Sequence, residues 1–554
     1  MIEDQLREVI AAGLRTVVGD AGEVPTPELL APKQKEHGDF ATNVALAVAG
    51  RLRRSPREVA QDVVDAMPPA PFIEKVEVAG PGFINLFVTD DWLHDVVRRI
   101  AAEGDAYGTV APSGRRAQVE FVSANPTGPL HVGHARNAAL GDAIGRLLEA
   151  AGWTVEREYY FNDAGGQMDR FGASVEAAYL ELLGREAAWP DDGYRGAYVT
   201  DIARDVLEAN GPSLADLEPA ERLARLRAEG VRRVLAWIEA TLARFGVRFD
   251  TYVSEASLAE KGEIDAAVQR LRDSGHAYDA EGAVWFRSTD FGDDKDRVVV
   301  RSNGAHTYFG ADCAYLVDKF SRGFDHLVYV WGADHHGDVV RVRGAADALG
   351  YDAEAVEIVL YQFVAFLRGG EPVAMSKRAG TFVSLDELLD EVGTDAARFH
   401  LLMFSPDATI NFDIEAVARE SMDNPVYYVQ YGHARIASIL RKAADAGVEP
   451  RPIEQVDLGL LVHEAEADLL RALADVPGVI ATAADLRAPH RLAHASQDLA
   501  ARFHRFYTDC RVVGDDAELT QARLWLCRAT KQVLANLLGL LGVSAPERMD
   551  RSDG

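Results

Sequence analysis

Residues 120–151 read EFVSANPTGPLHVGHARNAALGDAIGRLLEAA, and this stretch decides the fold. A short β-branched and aromatic run over 117–122 predicts a strand. Asn125, Pro126, Gly128 and Pro129 then forbid both a helix and a continuing strand. From about His134, the residues Ala138, Ala139, Ile144, Leu147, Leu148 and Ala151 recur at helical spacing. His131, Gly133 and His134 therefore stand where a helix begins, just past a strand end. A helix N-terminus carries unpaired N–H groups and partial positive charge, which attract phosphate. Open parallel sheets bind ligands at the carboxyl ends of their strands. Two histidines three apart can both donate to phosphate oxygens, and Gly128 and Gly133 allow close backbone approach. Plain helix capping produces the same four-residue pattern, so it does not by itself define a site.

Outward from this stretch, the 554 residues suggest three or four domains, at about 150 residues each. The chain is 48% hydrophobic and 26% charged, a globular composition. No apolar run approaches the ~20 residues of a membrane span. The N-terminus, MIEDQLREVI, lacks signal-peptide anatomy. Cys313, Cys510 and Cys527 are too few and too scattered for a disulfide framework or a zinc site. A reducing cytoplasmic location without membrane attachment is expected. The net charge of −29 argues against nucleic acid as a partner, but residues 416–554 carry only −3 of it and hold five histidines. A local basic face suffices for binding phosphates, because distant charges are screened.

Residues 1–108 read as an α+β module, with helical periodicity over 2–18, a helix after Asn43, and strands over 73–78 and 83–88 around Gly80-Pro81-Gly82. Residues 154–161 form a further strand candidate ending in NDAGGQ. Residues 168–290 read as a mostly helical insertion. Strands over 297–301 and 326–330 follow, the latter ending in WGADHHGD, with a helix from Tyr308 through Lys319 between them. Strands that end in small polar loops and lead into helices predict a doubly wound, mostly parallel, Rossmann-like α/β domain over 109–415. Residues 416–554 read as all-helical. Asp334, His335, His336 and Asp338 could bind a metal, but adjacent histidines diverge on most backbones, and no metal site is expected.

In FLRGGEPVAMSKRAGTFVSL, residues 366–385, glycines bracket Met375, Ser376 and Lys377. A His-x-Gly-His followed about 240 residues later by Met-Ser-Lys resembles the paired signatures of class I aminoacyl-tRNA synthetases. Val132 replaces the usual isoleucine, Ala374 the first lysine and Arg378 the last serine of those signatures, and the central lysine survives as Lys377. Within that class the chain resembles the arginyl-tRNA synthetase family over nearly its whole length. The matching stretches, in order, are EFVSANP, NDAGGQ, YFGADCAYLVDKF, WGADHHGD, MSKRAG and NPVYYVQYGHARI. Many members carry a lysine before the first signature when the second lacks its central one. Here that place is Thr127-Gly128-Pro129, and Lys377 is present.

The resemblance implies an arginine–tRNA ligase. L-arginine and ATP would give arginyl-adenylate, which is then transferred to the 2′-hydroxyl of the terminal adenosine of tRNA(Arg). Adenylate formation would require bound tRNA. It implies His131, His134 and Lys377 as catalytic residues, and Gly128, His131, Gly133, His134, Met375, Ser376 and Lys377 as the ATP site. Glu120, Ser123, Asn125, His134, Tyr308, Asp312 and Asp334 would hold arginine. Asn43, Tyr431, Arg435 and Trp525 are the candidates for tRNA contact, on an elbow-binding N-terminal domain and an anticodon-binding helical domain. ATP with Mg2+ enters as substrate, no tightly bound cofactor is expected, and the molecule is expected to be a monomer. Chemistry supports the substrate independently, because a planar guanidinium is best met by buried carboxylates. Glu120 and Asp312 are the candidates, with either one free to take the guanidinium or the α-amino group. A small-molecule nucleotidyltransferase would not need the C-terminal helices. A binding protein that had lost catalysis would not keep His131, His134 and Lys377. A glutamyl enzyme would need cationic grips, and a cysteinyl enzyme a thiolate-rich site.

Overall fold

The computed structural model describes residues 2–19, 23–30, 32, 37–89, 91–373 and 383–549, so Met375, Ser376 and Lys377 lie outside the described residues. The chain divides into two units: Met1–Gly104 with Lys442–Ala474 and Arg505–Ala529, and Asp105–Arg441 with Asp475–His504 and Thr530–Gly554.

In the first unit β1 (Phe40–Thr42), β2 (Ile73–Ala79) and β3 (Phe83–Val88) form an antiparallel sheet in the order β1-β3-β2. Helices Ile2–Val18, Val44–Leu52 and Pro56–Ala66 cover it and bury Leu6, Ile10, Leu14, Val48, Val59, Val63 and Leu86. Ser55 starts the third helix with a reciprocal cap. Its Oγ accepts from the Glu58 N–H, and Glu58 accepts from the Ser55 N–H, both at 3.3 Å.

The second unit is built on β4 (Arg116–Glu120), β5 (Thr154–Phe161), β6 (Thr251–Ser254), β10 (His326–Gly332) and β11 (Val356–Tyr361). β7 (Ala277–Ala280), β8 (Ala283–Phe286) and β9 (Arg297–Val300) make a separate antiparallel sheet. The five main strands are all parallel, in the order β6-β5-β4-β10-β11. The chain winds outward in one direction from β4 to β6, then crosses back to β10. The order reverses between β4 and β10, and their carboxyl ends are the place where a doubly wound sheet opens a crevice. Helix Ala135–Ala150 follows β4 and is buried along most of its length. Helix Tyr308–Ser321 and helix His336–Ala348 pack with Leu327, Tyr329 and Val356 in a second core layer. Beyond β11, β12 (Val364–Arg368), β13 (Glu371–Pro372) and β14 (Ile410–Asp413) form a three-stranded sheet.

Two elements differ from the sequence reading. The strand expected over 117–122 stops at Glu120, and Val122 and Ser123 take φ of 64° and 41°. β-propensity did not govern there, because tertiary hydrogen bonds hold the loop. The stretch 168–290 is mostly helical, but β6 interrupts it after Arg244 to complete the main sheet, and β7 and β8 follow helices Glu255–Glu260 and Glu263–Asp273. Short strands with intermediate burial carry too weak a periodicity to stand out from helix.

The C-terminal stretch is helical: Pro425–Asp445, Glu464–Asp485, His490–Asp509 and Ala517–Leu540. Within the second unit, Arg398 is fully buried and ties three segments together. It donates to Asp142 Oδ2 at 2.5 Å and to the Phe245 and Leu541 carbonyls at 3.0 Å. Burial alone would raise the Asp142 carboxyl, but Arg398, Arg146 and Arg157 carry it below its ordinary value. Replacing Arg398 by methionine strands two carbonyls and weakens that cluster. The expected loss is about 3 kcal/mol, read as a lower urea midpoint of unfolding.

Candidate active site

β4 delivers the loop at the switch point, and the loop is held from below. Asn137 Oδ1 accepts from the Val122 N–H at 2.5 Å, and its Nδ2 donates to the Val330 carbonyl at 2.9 Å. The Tyr159 hydroxyl accepts from the Ala124 N–H at 3.1 Å and donates to its carbonyl at 2.8 Å. Two consecutive non-glycine residues in the left-handed region cost ~1–3 kcal/mol each, and these bonds hold them there. The result aims Ser123 at Glu120 Oε1, 3.2 Å away, while Ser123 Oγ accepts from the Tyr160 N–H.

The signature histidines sit at the helix mouth as expected. His131 caps the short turn Val132–His134, its Nδ1 accepting from the Gly133 N–H at 3.0 Å. The two imidazole rings lie with centroids 4.0 Å apart. A Cβ at Gly133 would fall 2.6 Å from the His131 ring, so this glycine makes room for the histidine. Gly128 differs from expectation: the Tyr198 ring fills the space beside it, 2.9 Å from where a Cβ would be. The Val132 N–H donates to the Val383 carbonyl at 3.1 Å, and the Leu385 N–H to the Leu130 carbonyl at 2.8 Å. The segment entering from Lys377 is thereby anchored on the histidine loop at its first described residue.

Beside the loop lies a cleft of about 260 Å³ lined by Asn125, His134, Gln167, Arg170, Asp192 and Tyr194, among others. Asn125 accepts from the Asn162 N–H and donates to Gln167 Oε1 at 2.8 Å.

Acidic side chains converge below. Glu120 and Glu158 are register partners on β4 and β5, exposed by only 5% and 0%. Glu158 accepts from both Arg322 terminal nitrogens and from the Tyr315 hydroxyl. Glu120 pairs with Lys319 at 2.5 Å. Asp312 makes no ion pair with a described residue. Burial, then the charges of Glu120, Glu255 and Asp338, push its carboxyl up to about 7, and Lys319 opposes them. Glu255 follows β6 and accepts from the Tyr160 hydroxyl at 2.8 Å; burial raises it as well. Among the described residues, Asp312 and Glu255 are thus two carboxylates without an ion pair, which suits a planar, permanently charged donor group.

Tyr308 opens the helix bearing Asp312 and is 65% exposed, so its ring covers nothing inside the protein. Asp334 lies in the turn after β10 beside His335, while Asp338 is the acid from this stretch whose charge acts on Asp312. Sequence reading missed Glu255, Glu158, Tyr160 and Lys319. For Glu158 and Tyr160 the signal was present, a charged and aromatic alternation on a strand that a parallel sheet buries. Among the described residues no group of three or more His, Cys, Asp or Glu is placed to hold a metal, and no helix is long and apolar enough to cross a membrane. Cys313, Cys510 and Cys527 are all free and buried.

Tyr431 and Arg435 stand together on one helix, the guanidinium 4.7 Å above the ring and bonded to its hydroxyl. Trp525 donates to the Arg451 carbonyl at 2.9 Å, with Arg528 stacked on its indole. Asn43 is the residue before helix Val44–Leu52, and its side chain makes no cap.

A doubly wound sheet with paired histidines at its first strand end, followed by a long run of C-terminal helices, fits a class I aminoacyl-tRNA synthetase rather than a small-molecule nucleotidyltransferase. Residues 96–413 match the family described as tRNA synthetases class I (R), catalytic domain. Residues 4–88 match the arginyl tRNA synthetase N terminal domain, and 429–549 the DALR anticodon binding domain. The arginine–tRNA ligase of Frankia alni is 49% identical over 559 residues, covering 99% of this chain and all of that one. That of Heliobacterium modesticaldum is 46% identical over 560 residues, with the same coverage. The solved arginyl-tRNA synthetase of Thermus thermophilus superposes with a TM-score of 0.75 at 27% identity, over 99% of this chain and all of that one. The chain belongs to the arginyl-tRNA synthetase family.

Proposed function

We propose that this chain joins L-arginine to tRNA(Arg) in two steps. The arginine carboxylate attacks the α-phosphorus of MgATP; a mixed anhydride forms, the α–β bridging bond breaks and pyrophosphate leaves. The terminal adenosine 2′-hydroxyl of tRNA then attacks the activated carbonyl and AMP departs. Asp312 and Glu255 grip the guanidinium, with Tyr308 closing over it. Asn125 and Ser123 orient the α-amino end, with Glu120 acting through the bond it accepts from Ser123, and Asp334 approaches from the turn after β10. His131 and His134 donate to phosphate oxygens at the helix mouth. Lys377, with Met375 and Ser376 beside it, neutralises charge that builds on the leaving pyrophosphate. Five residues lie between Lys377 and Val383, so the chain allows a reach of at most ~22 Å from the histidine loop.

The observation that carries this reading is a pair of carboxylates with no ion pair among the described residues, Asp312 on the helix before β10 and Glu255 just past β6, both raised by burial. A pocket of that kind rejects uncharged analogues by ~10⁴-fold, so no editing site is needed. Residues 1–108, 109–415 and 416–554 act as the elbow-binding, catalytic and anticodon-binding domains of a cytoplasmic monomer. Asn43 contacts the elbow, while Tyr431, Arg435 and Trp525 offer the flat faces on which unstacked bases rest.

The test is ATP–pyrophosphate exchange with each of the twenty amino acids, with and without total tRNA. Exchange is expected with arginine alone, and only when tRNA is present. Exchange with a different amino acid overturns the substrate assignment. Equal exchange without tRNA overturns the tRNA requirement.

A further inference from the structure

Four acids and two cations gather beside the sheet, Glu120 and Glu158 buried and Asp312 and Glu255 partly so. Glu120 and Glu158 come from adjacent strands, Asp312 from helix Tyr308–Ser321 and Glu255 from the end of β6. The cations are Lys319 and Arg322, at and just past the end of that helix. Asp312 and Lys319 are seven residues apart, two helical turns, and so face the sheet together. Lys319 is fully buried and its ammonium has no room to move. It touches Glu120 Oε2 at 2.5 Å and sits 4.1 Å and 3.8 Å from the ring centroids of Tyr315 and Tyr329. Arg322 meanwhile occupies Glu158 with two nitrogens.

We propose that Lys319 is a positioning residue for substrate selection: by occupying Glu120, it leaves Asp312 and Glu255 as the carboxylates that meet the arginine side chain. This rests on the reading of Asp312 and Glu255 given above. Lys319 touches no substrate. It sets the charge of the pocket so that one external cation completes it. Without Lys319 the same space would hold a third uncompensated acid, and the pocket would take up a proton or a second cation before arginine. The groups facing Asp312 are Glu120 from β4, Glu255 after β6, Asp338 on helix His336–Ala348 and Lys319 on its own helix. Tyr160 and Tyr329 also feel its charge. Lys319 in turn faces Glu120, Glu158 and Arg322.

The experiment follows arginine KM from pH 5.5 to 8.5 in the full-length enzyme with tRNA and ATP saturating. It compares the wild type with Glu120→Gln, Lys319→Met and the double variant. If Lys319 acts through charge, the pH at which KM levels off follows the pocket's net charge. Glu120→Gln falls below wild type, the double variant lies near wild type, and Lys319→Met rises by a unit or more with a KM at least tenfold higher at pH 7. The kcat for adenylate formation stays within threefold between wild type and Lys319→Met. A purely structural Lys319 gives no such order, because lost packing does not move a titration. If Lys319→Met alone fails to fold, Glu120→Gln against the double variant decides: the break must rise when Lys319 is also removed, and an unchanged break overturns the proposal. Asp312→Asn separates the two ideas. A pH break that persists in that variant refutes the assignment of Asp312 and this proposal with it. A break that vanishes there, without the charge order among the other variants, refutes the role of Lys319 alone.

Discussion

Asp312→Asn is expected to lower kcat/KM for arginine ~10²–10³-fold and to erase its pH dependence. The magnitude follows from truncating one side of a buried charge pair, about 3–4 kcal/mol, with 1.4 kcal/mol per factor of ten. The pH dependence follows from linkage. In the empty pocket, burial and the charges of Glu120, Glu255 and Asp338 hold the Asp312 carboxyl up to about 7. A bound guanidinium favours the ionised form, so the complex carries fewer protons than the free enzyme. Arginine affinity therefore increases with pH up to about 7 and is constant above it. Below that point KM rises about tenfold per pH unit, the slope of one proton released on binding. Steady-state aminoacylation between pH 5.5 and 8.5 checks both statements. A flat wild-type profile across pH 7 would mean that Asp312 does not meet the guanidinium. Citrulline, with an oxygen in place of one guanidinium nitrogen, is expected to inhibit neither the wild type nor the variant.

The second large effect is expected at Lys377. Removing its ammonium, as Lys377→Ala, should slow adenylate formation ~10²–10³-fold, the usual cost of losing one donor to developing charge. Arginine KM should change less than threefold, because the interaction strengthens only as the α–β bond breaks. Single-turnover measurement of pyrophosphate release separates this step from transfer to tRNA. A variant whose KM for ATP rises while kcat is unchanged would assign Lys377 to ground-state binding. The geometry that motivates the experiment is the anchoring of Val383 on Val132, between the two histidines, which ties the chain downstream of Lys377 to the phosphate end of the site.

How much of this was legible before folding depended on range. Strand 154–161 and the helix after His134 were readable to within a residue, because their periodicity is long and their ends carry glycine or asparagine. The left-handed turn at Val122 and Ser123 was not, since β-branched Val122 favours extended backbone and the bonds of Asn137, Tyr159 and Ser123 that hold the turn are tertiary. β6 is four residues long and half-buried, so nothing local distinguishes it from its helical surroundings, and Glu255 at its end was hidden with it. Gly128 was readable as a close approach, but the approaching group is Tyr198, 70 positions further on.

The amino-acid order alone determined the class of sheet and the position of the histidines at a helix mouth, because each depends on neighbours within one or two turns of chain, and the family resemblance added the candidate acids Glu120 and Asp312. Only the folded molecule decided which acids remain available. Glu120 and Lys319 are 199 positions apart, and Glu158 and Arg322 are 164 apart. Whether a carboxylate is spent on an internal cation or left for a ligand is a matter of distances across the sheet, and local sequence carries no record of them.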